Sequence, residues 1–336
     1  MDGGHATAQA PVLVTGGAGY VGSHAVRLLQ ETGIEVVVLD DLSTGFRELI
    51  DAPLELVDLR DLGQVEEVLQ RYKPRAVMHF AAKCYVGESV RDPRGYYETN
   101  LIGAWNLLRA MQDADCKTLV MSSTCAVYGV PQEVPIPDDH PRSPISPYGR
   151  SKLAVEFLAE DFAHAYGFKV ARLRYFNAAG ASHDARIGEM HEPETHLIPL
   201  VMRATQPGAE PITIFGEDYD TPDGTCIRDY VHVEDLADAH LLALNRCESE
   251  GGFSCNLGTG HGFSVHEVVA SVERVTGLEV AMRMGERREG DPPVLVSGGR
   301  YAAEVLGWNP KRAELDRIVE DAWRFEQSRS SRVKSL

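Results

Sequence analysis

The feature that most constrains the fold is the segment "VLVTGGAGYVGSH" at residues 12–24, where a short apolar run leads into a glycine-rich turn. Gly16, Gly19 and Gly22 have the spacing G-x-x-G-x-x-G, and the residues after them favour a helix. Glycines here allow a tight turn and let backbone N–H groups and a helix N-terminus approach a pyrophosphate. The segment therefore predicts the first strand–turn–helix unit of a dinucleotide-binding sheet.

The first half of the chain repeats this alternation of strand and helix. Amphipathic stretches separate apolar runs that predict buried parallel strands at 12–16, 34–40, 76–82, 118–123 and 169–177. The alternation predicts an α/β fold with a Rossmann-like, doubly wound parallel sheet. From residue 179 the composition becomes loop-like. We expect an NAD-binding domain at 11–178 and a smaller α/β substrate-binding lobe at 179–336, with 229–258 packing back on the first domain.

Charge and cysteine usage limit the partners and the compartment. The formal net charge of -17 disfavours nucleic acid and anionic membranes as partners. The six cysteines include no C-x-x-C pair, which predicts neither a disulfide framework nor a zinc site and favours the reducing cytoplasm. No apolar run approaches the ~20 residues that a membrane span needs. An anionic ligand would therefore depend on arginines placed close to it.

Acidic residues follow the second and third predicted strands. Asp40 and Asp41 end the second strand, where a carboxylate accepts hydrogen bonds from ribose hydroxyls and repels a 2′-phosphate. No Lys or Arg follows before Arg47, so the sequence favours NAD over NADP. Asp58 lies in the segment "ELVDLRD", after a third predicted strand between the runs at 34–40 and 76–82. It suits either the adenine amino group or a solvated turn, and the sequence leaves both open.

Thr124, Tyr148 and Lys152 form a candidate proton-transfer site. Tyr148 and Lys152 are four residues apart at a predicted helix start, which places both side chains on one face. An ammonium beside a phenol is expected to lower the phenol pKa from about 10. The phenolate could then take a proton from a substrate hydroxyl, with Thr124, at a strand end, bridging the two by hydrogen bonds.

Several longer segments narrow the assignment. With the glycine turn and the Thr124/Tyr148/Lys152 set, the chain resembles the extended short-chain dehydrogenase/reductase superfamily. It also contains "HFAAKCYVGESV", "SSTCAVYG", "SPYGRSKL", "LRYFNAAG", "IFGEDYDTPDGTCIRDYVHVEDLADAH", "NLGTG" and "RREGD". These segments resemble the UDP-glucose 4-epimerases across nearly the whole chain. The resemblance implies tightly bound NAD, with Tyr148 as the base that promotes oxidation of a UDP-hexose at C4 and a 4-ketose that then receives the hydride on its other face.

The resemblance also implies two sets of contact residues. The cofactor positions are Gly16, Gly19, Tyr20, Val21, Gly22, Asp40, Asp41, Leu42, Ser43, Asp58, Leu59, Phe80, Ala81, Ala82, Asn100, Tyr148, Lys152 and Phe176. The UDP-sugar positions are Thr124, Asn177, His196, Leu197, Thr213, Ile214, Phe215, Arg228, Arg288, Asp291 and Leu295. Arg228 and Arg288 are assigned to the diphosphate, although either could instead form a surface ion pair with Asp229 or Glu289.

The chain departs from the family pattern at two places. Cys84 aligns with a cofactor-contacting lysine of some members, and Lys83 lies one position earlier, which leaves a cofactor role for Lys83 open. His196 stands where some members have Asn, so ligand contact and a structural role are both open. The loop histidines 183, 191 and 196 fit no standard zinc spacing, and we predict no metal site.

Several alternative functions compete with C4 epimerisation of a UDP-hexose. A nucleotide-sugar 4,6-dehydratase needs an Asp-Glu pair after the threonine, where this chain has Cys125 and Ala126. A UDP-xylose/UDP-arabinose or UDP-N-acetylhexosamine 4-epimerase stays open, because the resemblance places Leu295 next to the C2 substituent and leucine is intermediate in size. A UDP-glucuronate epimerase lacks a dedicated arginine for the substrate carboxylate. A non-catalytic NAD-binding module would not require the Thr124/Tyr148/Lys152 set.

Two predicted helices indicate the oligomeric state. The segments "YYETNLIGAWNLLRAM" and "YGRSKLAVEFLAEDFAHAYG" carry more apolar residues than one sheet face requires. In this superfamily the corresponding helices form a four-helix dimer interface, so the resemblance predicts a homodimer. The alternative is that both apolar stripes belong to the core of one chain.

Overall fold

A computed structural model describes residues 10–288 and 291–333. Its central feature is a seven-stranded parallel sheet with the order β11-β6-β5-β4-β1-β2-β3. These strands are β1 (Val12–Thr15), β2 (Val36–Asp40), β3 (Leu54–Leu56), β4 (Ala76–His79), β5 (Thr118–Thr124), β6 (Lys169–Tyr175) and, later in the chain, β11 (Phe253–Leu257). The prediction of a doubly wound parallel sheet is confirmed.

Helices cover both faces of this sheet. The helices of the first half are α1 (Tyr20–Glu31), α2 (Leu62–Tyr72), α3 (Val86–Arg91), α4 (Pro93–Tyr96), α5 (Gly103–Asp113) and α6 (Pro147–Tyr166). Val12 and Val14 pack with α1 on one face, whereas Leu13 packs with α2, α5 and α6 on the other. Because successive side chains of a strand point to opposite faces, the nearly continuous apolar strand predicted at 12–16 supplies both cores.

The second half forms smaller sheets and a separate core. Its strands are β7 (Asn177–Ala179), β8 (Ile212–Phe215), β9 (Ile227–Arg228), β10 (Tyr230–His232), β12 (Phe263–Ser264), β13 (Met282–Gly285) and β14 (Val294–Leu295). Its helices are α7 (Leu197–Arg203), α8 (Val233–Glu250), α9 (Val265–Thr276), α10 (Arg300–Leu306) and α11 (Leu315–Val333). Side chains of α7, α9 and α11 enclose this core together with β8 and β10.

The chain returns to the central sheet at residues 233–257. Strand β11 pairs with β6 at the sheet edge, and α8 packs against α1 on one face. The division into domains at residues 178 and 179, with 229–258 assigned to the first domain, stays a prediction.

Local sequence signals explain several helix ends. Ser264 and Glu267 form a capping box at the start of α9, and Gly33 has a positive φ of 79° just after α1. One difference lies at Tyr97–Ile102, where a π-helix interrupts the stretch predicted as a single helix. None of the helices within 10–288 and 291–333 combines the length and apolarity needed to cross a membrane.

Candidate active site

The glycine turn lies between β1 and α1, as the sequence predicts. Gly16 has φ +70°, and a Cβ atom there would lie 2.4 Å from the backbone nitrogen of Ala81. A Cβ atom at Gly22 would lie 2.2 Å from the carbonyl oxygen of Gly16. Both positions therefore require glycine, and the turn leads directly into the N-terminus of α1, the part of a helix that favours a pyrophosphate.

Substitution of Gly22 by Ala is expected to reduce the amount of NAD that copurifies with the protein, because the methyl group would displace the turn at Gly16. Gly63→Ala is a matched control, since this glycine also lies in the first turn of a helix and a Cβ atom there would be 3.6 Å from its nearest neighbour. Quantifying nucleotide released from the denatured proteins checks the prediction. Equal NAD content in Gly22→Ala and Gly63→Ala would contradict it.

Asp40 is buried at the end of β2, with 7% of its surface exposed. One carboxylate oxygen accepts from the N–H of Ala18 (3.0 Å) and the other from the N–H of Leu42 (2.9 Å). Burial raises the pKa of Asp40, although these two hydrogen bonds oppose the shift. Each oxygen can accept a further hydrogen bond, so the carboxylate is suited to the two ribose hydroxyls of NAD. Beside it, Asp41 accepts from the N–H of Ser43 at 2.8 Å.

Asp58 is engaged by a neighbouring side chain. Its carboxylate forms an ion pair with Arg60 at 2.6 Å, and the hydrogen bonds from Arg60 lower its pKa. A contact between Asp58 and adenine therefore stays a prediction that must be compatible with this pair.

The other predicted cofactor positions occupy the glycine turn, the carboxyl end of the sheet and the adjoining helices. Phe80 and Ala81 follow β4, and their N–H groups donate to the carbonyl of Thr15 at 2.8 and 3.1 Å. Asn100 lies in the π-helix and bonds the backbone of Lys83 and the hydroxyl of Ser151. The remaining positions are Tyr20 and Val21 in the first turn of α1, Ala82 after β4, Phe176 after β6, and Leu59, whose side chain belongs to the core beneath α2 and α5.

The structure brings Thr124, Tyr148 and Lys152 together. Thr124 ends β5, and α6 begins at Pro147 with Ser146 as its N-cap. A Cβ atom on Gly149 would lie 2.5 Å from the carbonyl oxygen of Ala126, so the first turn of α6 packs closely on the segment after β5. As a result, the side chain of Thr124 lies near the phenol of Tyr148 and acts on its pKa.

The pKa of Tyr148 is shifted in the direction opposite to the one expected. Burial raises the pKa of Tyr148 well above its usual value, the nearby thiol of Cys84 adds to the shift, and the Thr124 hydrogen bond opposes it. Burial also lowers the pKa of Lys152 to about 8. The expected lowering of the Tyr148 pKa is thus wrong, because burial of the phenol raises the pKa more than the neighbouring groups lower it.

Glu156, which the sequence reasoning missed, supports this helix one turn after Lys152. Its fully buried carboxylate accepts hydrogen bonds from Arg174 (2.7 and 2.8 Å), Ser123 (2.5 Å) and Arg142 (3.0 Å). The network joins α6 to β5 and β6 and so fixes the position of Lys152 relative to Thr124. The sequence contains a sign of this buried carboxylate, since Glu156 follows Lys152 by four residues and is the only charged residue in the apolar stretch "LAVEFLA".

The predicted diphosphate arginines lie in the second half of the chain. Arg228, in β9, forms an ion pair with Asp291, while Asp229 accepts hydrogen bonds from Thr259, Gly260 and Ser297. Arg228 is therefore not the partner of Asp229. The guanidinium of Arg288 lies 4.2 Å from the ring centre of Phe215, and its alternative partner Glu289 is outside the described residues. The positive charges of both arginines act on the thiol of Cys226.

The remaining substrate positions form two groups. Thr213, Ile214 and Phe215 make up most of β8, which pairs in parallel with β13 and buries only the middle residue of the three. Leu295 pairs with Arg228 between β14 and β9, and its side chain packs on the cluster that contains Cys125 and Phe176. Asn177, the first residue of β7, donates its N–H to the carbonyl of Asp229 at 3.0 Å.

His196 and Leu197 mark the start of α7, and His196 is engaged within its own loop. Its Nδ1 atom lies 2.7 Å from Glu189 and 2.8 Å from Glu194. His191 Nδ1 lies 2.9 Å from Glu189, whereas His183 lies apart and contacts Glu234 at 3.1 Å. The structure thus brings two of the three loop histidines together with two glutamates.

Known proteins share both this sequence and this architecture. The sequence matches the NAD dependent epimerase/dehydratase family over residues 12–258. A UDP-glucose 4-epimerase of Lactobacillus helveticus is 48% identical over 320 residues, which cover 94% of this chain and 97% of that protein.

Two crystal structures illustrate the likeness. The UDP-glucose 4-epimerase from Brucella ovis in complex with NAD has a TM-score of 0.91 and 46% identity, covering 94% of this chain and 98% of that one. The enzyme from Stenotrophomonas maltophila, with bound NAD and formylated UDP-arabinopyranose, has a TM-score of 0.92 and 38% identity, covering 96% and 100%. The chain belongs to the NAD-dependent epimerase/dehydratase family and, within it, to the UDP-glucose 4-epimerases.

Proposed function

We propose that the protein interconverts UDP-glucose and UDP-galactose by transient oxidation at C4, with NAD retained between turnovers. The observation that carries the proposal is the placement of Thr124 beside Tyr148 and the buried Lys152, at the carboxyl end of the sheet where the glycine turn also begins. The close backbone approaches at Gly16 and Gly22, with the free acceptor capacity of Asp40, fit an NAD molecule. The relatives' shared activity supports the same reaction.

The protein's own residues handle the proton. Tyr148 takes the proton of the C4 hydroxyl through the hydrogen bond that Thr124 organises, and later returns it to the C4 oxygen of the ketose. NAD, when bound, accepts the C4 hydride and returns it, and its positive charge favours the phenolate form of Tyr148. Lys152 adds positive charge while it is protonated, and Glu156 favours that protonated form.

The inversion requires that the sugar can turn while the nucleotide stays bound. Arg228 and Arg288 are the proposed diphosphate ligands, because guanidinium groups match phosphate oxygens with two parallel hydrogen bonds. Asp291 orients Arg228 and would also contact the uridine ribose. The partly exposed residues of β8, with Phe215 under Arg288, would provide the edge that reads uracil. Binding energy would thus come from UDP, leaving the hexose free to present either face.

Elimination of water, as in a 4,6-dehydratase, is disfavoured by the residues after Thr124. Cys125 is buried, and burial raises its thiol pKa to about 12. Ala126 has no proton to exchange. Neither side chain can therefore replace an acid–base pair at neutral pH.

A direct assay tests the proposal. The purified full chain is incubated with UDP-galactose without added cofactor, and the nucleotide sugars are separated. We expect UDP-glucose to form until the two sugars reach equilibrium. A 4-keto-6-deoxy product, or no conversion with NAD demonstrably bound, would refute the proposed reaction.

Leu295 is the proposed determinant of tolerance at C2 of the sugar, since its side chain packs beside Phe176 and Cys125. The ratio to measure is kcat/KM for UDP-N-acetylgalactosamine divided by kcat/KM for UDP-galactose. Leu295→Tyr is expected to lower this ratio by about tenfold, and Leu295→Ser is expected to raise it. The reason is that the size of a pocket typically discriminates between substrates by about 1–3 kcal/mol. Val294→Ser is the control, as neighbouring strand residues face opposite sides. Ratios that do not change in either Leu295 variant would assign the discrimination elsewhere.

We also propose a homodimer formed through α5 and α6. Trp105 and Phe157 expose 41% and 47% of their surfaces on these two packed helices. Trp105 and Tyr166 both contact the ring of Phe162, so their apolar surfaces are continuous. A second copy presenting the same face would bury this patch in a symmetric interface.

The double variant Trp105→Glu/Phe157→Glu is expected to be monomeric, because it would bring four carboxylates into the apolar interface. Light scattering coupled to gel filtration should give about 36.9 kDa for the variant and about twice that mass for the wild-type chain. Leu278→Glu, at an exposed position outside α5 and α6, is the control and should stay dimeric. A monomeric wild-type chain would show that this patch has no such role.

The cytoplasm remains the proposed compartment. All six cysteines are free, as expected for a chain kept in a reducing environment.

A further inference from the structure

A cluster of two imidazoles and two carboxylates lies in the loop before α7, apart from the Thr124/Tyr148/Lys152 trio. Glu189, His191, Glu194 and His196 each offer one donor atom, and these atoms all lie within 4.8 Å of one another. We propose that these four side chains bind one divalent transition-metal ion, with Zn²⁺ as the best match. The proposal does not depend on the epimerase reaction.

The chemistry of the donor atoms favours Zn²⁺ over a hard cation. Imidazole nitrogens suit zinc and its neighbours in the first transition series, whereas Mg²⁺ and Ca²⁺ prefer oxygen ligands alone. Four ligands also match the tetrahedral coordination of a structural zinc site. The prediction of no metal site relied on histidine spacing alone, and the two glutamates that complete the set lie outside that pattern.

An unsatisfied carboxylate oxygen is an independent sign of a missing ligand. The side chain of Glu194 is 1% exposed, and its Oε1 atom accepts from the N–H groups of Thr195 and His196. Its Oε2 atom is buried and accepts no hydrogen bond from any described residue. A buried carboxylate oxygen without a partner is costly, and coordination of a cation would satisfy it.

The present distances are compatible with metal binding after a small adjustment. The Nδ1 atom of His196 lies 2.7 and 2.8 Å from the two carboxylates, as expected where a proton is shared. Zinc bonds of about 2.0–2.1 Å in a tetrahedron separate the ligand atoms by about 3.3 Å. The two short contacts of His196 would therefore open by about half an ångström as Zn²⁺ replaces the proton, while wider pairs of donor atoms, which are up to 4.8 Å apart, would close.

The surroundings indicate what the ion would do. The rings of His191 and His196 lie 4.7 Å apart, and Tyr85 contacts both, at 5.6 and 5.9 Å. Tyr85 follows Cys84, whose thiol acts electrostatically on Tyr148. A bound ion would therefore hold the loop before α7 in the conformation in which both histidine rings pack against Tyr85.

The test measures zinc itself on the full chain. Protein treated with a chelator and then dialysed is mixed with Zn²⁺, separated by gel filtration and assayed for metal by mass spectrometry. We expect one Zn²⁺ per chain and a higher Tm with Zn²⁺ than without it, while Mg²⁺ produces neither effect. A wild-type chain that retains no zinc would overturn the proposal, and the four side chains would then only pair with one another.

Variants locate the ion. Glu189→Gln keeps the side-chain shape and His191→Ala removes a partly exposed ring, and each should weaken Zn²⁺ binding by at least about 100-fold, since even indirect partners of a metal contribute 10–100-fold. His183→Ala, on the same loop but outside the cluster, should bind one Zn²⁺ as the wild type does. Wild-type affinity in both cluster variants, or equal loss in His183→Ala, would refute the site.

Discussion

Replacement of Tyr148 by Phe is expected to lower kcat by about 10³-fold, within the range that a general acid–base group contributes. The substitution removes only the phenol hydroxyl, so the ring and its place in the first turn of α6 remain. NAD content and UDP binding should stay close to wild type, because neither the glycine turn nor the arginines are altered. The rate of conversion of UDP-galactose and the nucleotide released on denaturation are the measurements.

Tyr96 provides the matched control for Tyr148. Its ring lies 6.3 Å from that of Tyr148, and its hydroxyl lies 2.7 Å from the carbonyl oxygen of Tyr85. Tyr96→Phe loses a structural hydrogen bond and should keep most of the activity. A Tyr148→Phe enzyme with wild-type kcat, or an equal loss in both variants, would show that Tyr148 is not the acid–base group.

The second large effect concerns stability. Glu156→Gln is expected to reduce the free energy of unfolding by about 3 kcal/mol, the lower end of the range for removing one partner of a buried ion pair. The cause is Arg174, which would stay buried without a compensating charge. Denaturation in urea measures the difference. Glu160→Gln, at a half-exposed position paired with Arg142 and Arg172, is the control and should cost less than about 1 kcal/mol.

The pH dependence of this difference follows from the pKa of Glu156. Burial alone would raise that pKa, but the hydrogen bonds from Arg174 outweigh burial and lower it. A carboxyl group with a lower pKa in the folded state stabilises the protein above its unfolded pKa, and the contribution is lost as the pH falls through the folded pKa. The stability gap between wild type and Glu156→Gln should therefore shrink in acid. If the difference in free energy of unfolding stays constant from pH 7 down to the lowest pH at which both proteins remain folded, the lowered pKa of Glu156 does not contribute to stability.

The fold was largely predictable because its signals are local. Apolar runs such as 34–40 identify strands buried on both faces, and Ser264 with Glu267 identifies a helix start without any tertiary information. The π-helix at Tyr97–Ile102 was not predictable, since its wider turn leaves the same apolar pattern as an ordinary helix. The pairing of β9 with β14 was also missed, because it joins residues more than sixty positions apart.

In the candidate active site, too, local features were predictable and features that depend on the tertiary structure were not. The spacing of Tyr148 and Lys152 is local and predicted one shared helix face, whereas the pKa of Tyr148 depends on enclosure by segments distant in sequence, including Cys84. The ion pair of Arg228 with Asp291 and the buried network of Glu156 require the folded chain. Glu189 and Glu194 could not be recognised as possible metal ligands from the sequence, because only the folded loop brings them to His196.

The fate of the C4 hydrogen tests the central claim most directly. UDP-galactose carrying deuterium at C4 is converted by the purified chain without added cofactor, and the product is analysed by mass spectrometry and NMR. The proposed mechanism predicts UDP-glucose with the deuterium retained at C4, because the hydride leaves and returns to the same carbon within the site. Deuterium lost to solvent, or found at C6 of a deoxy sugar, would contradict it.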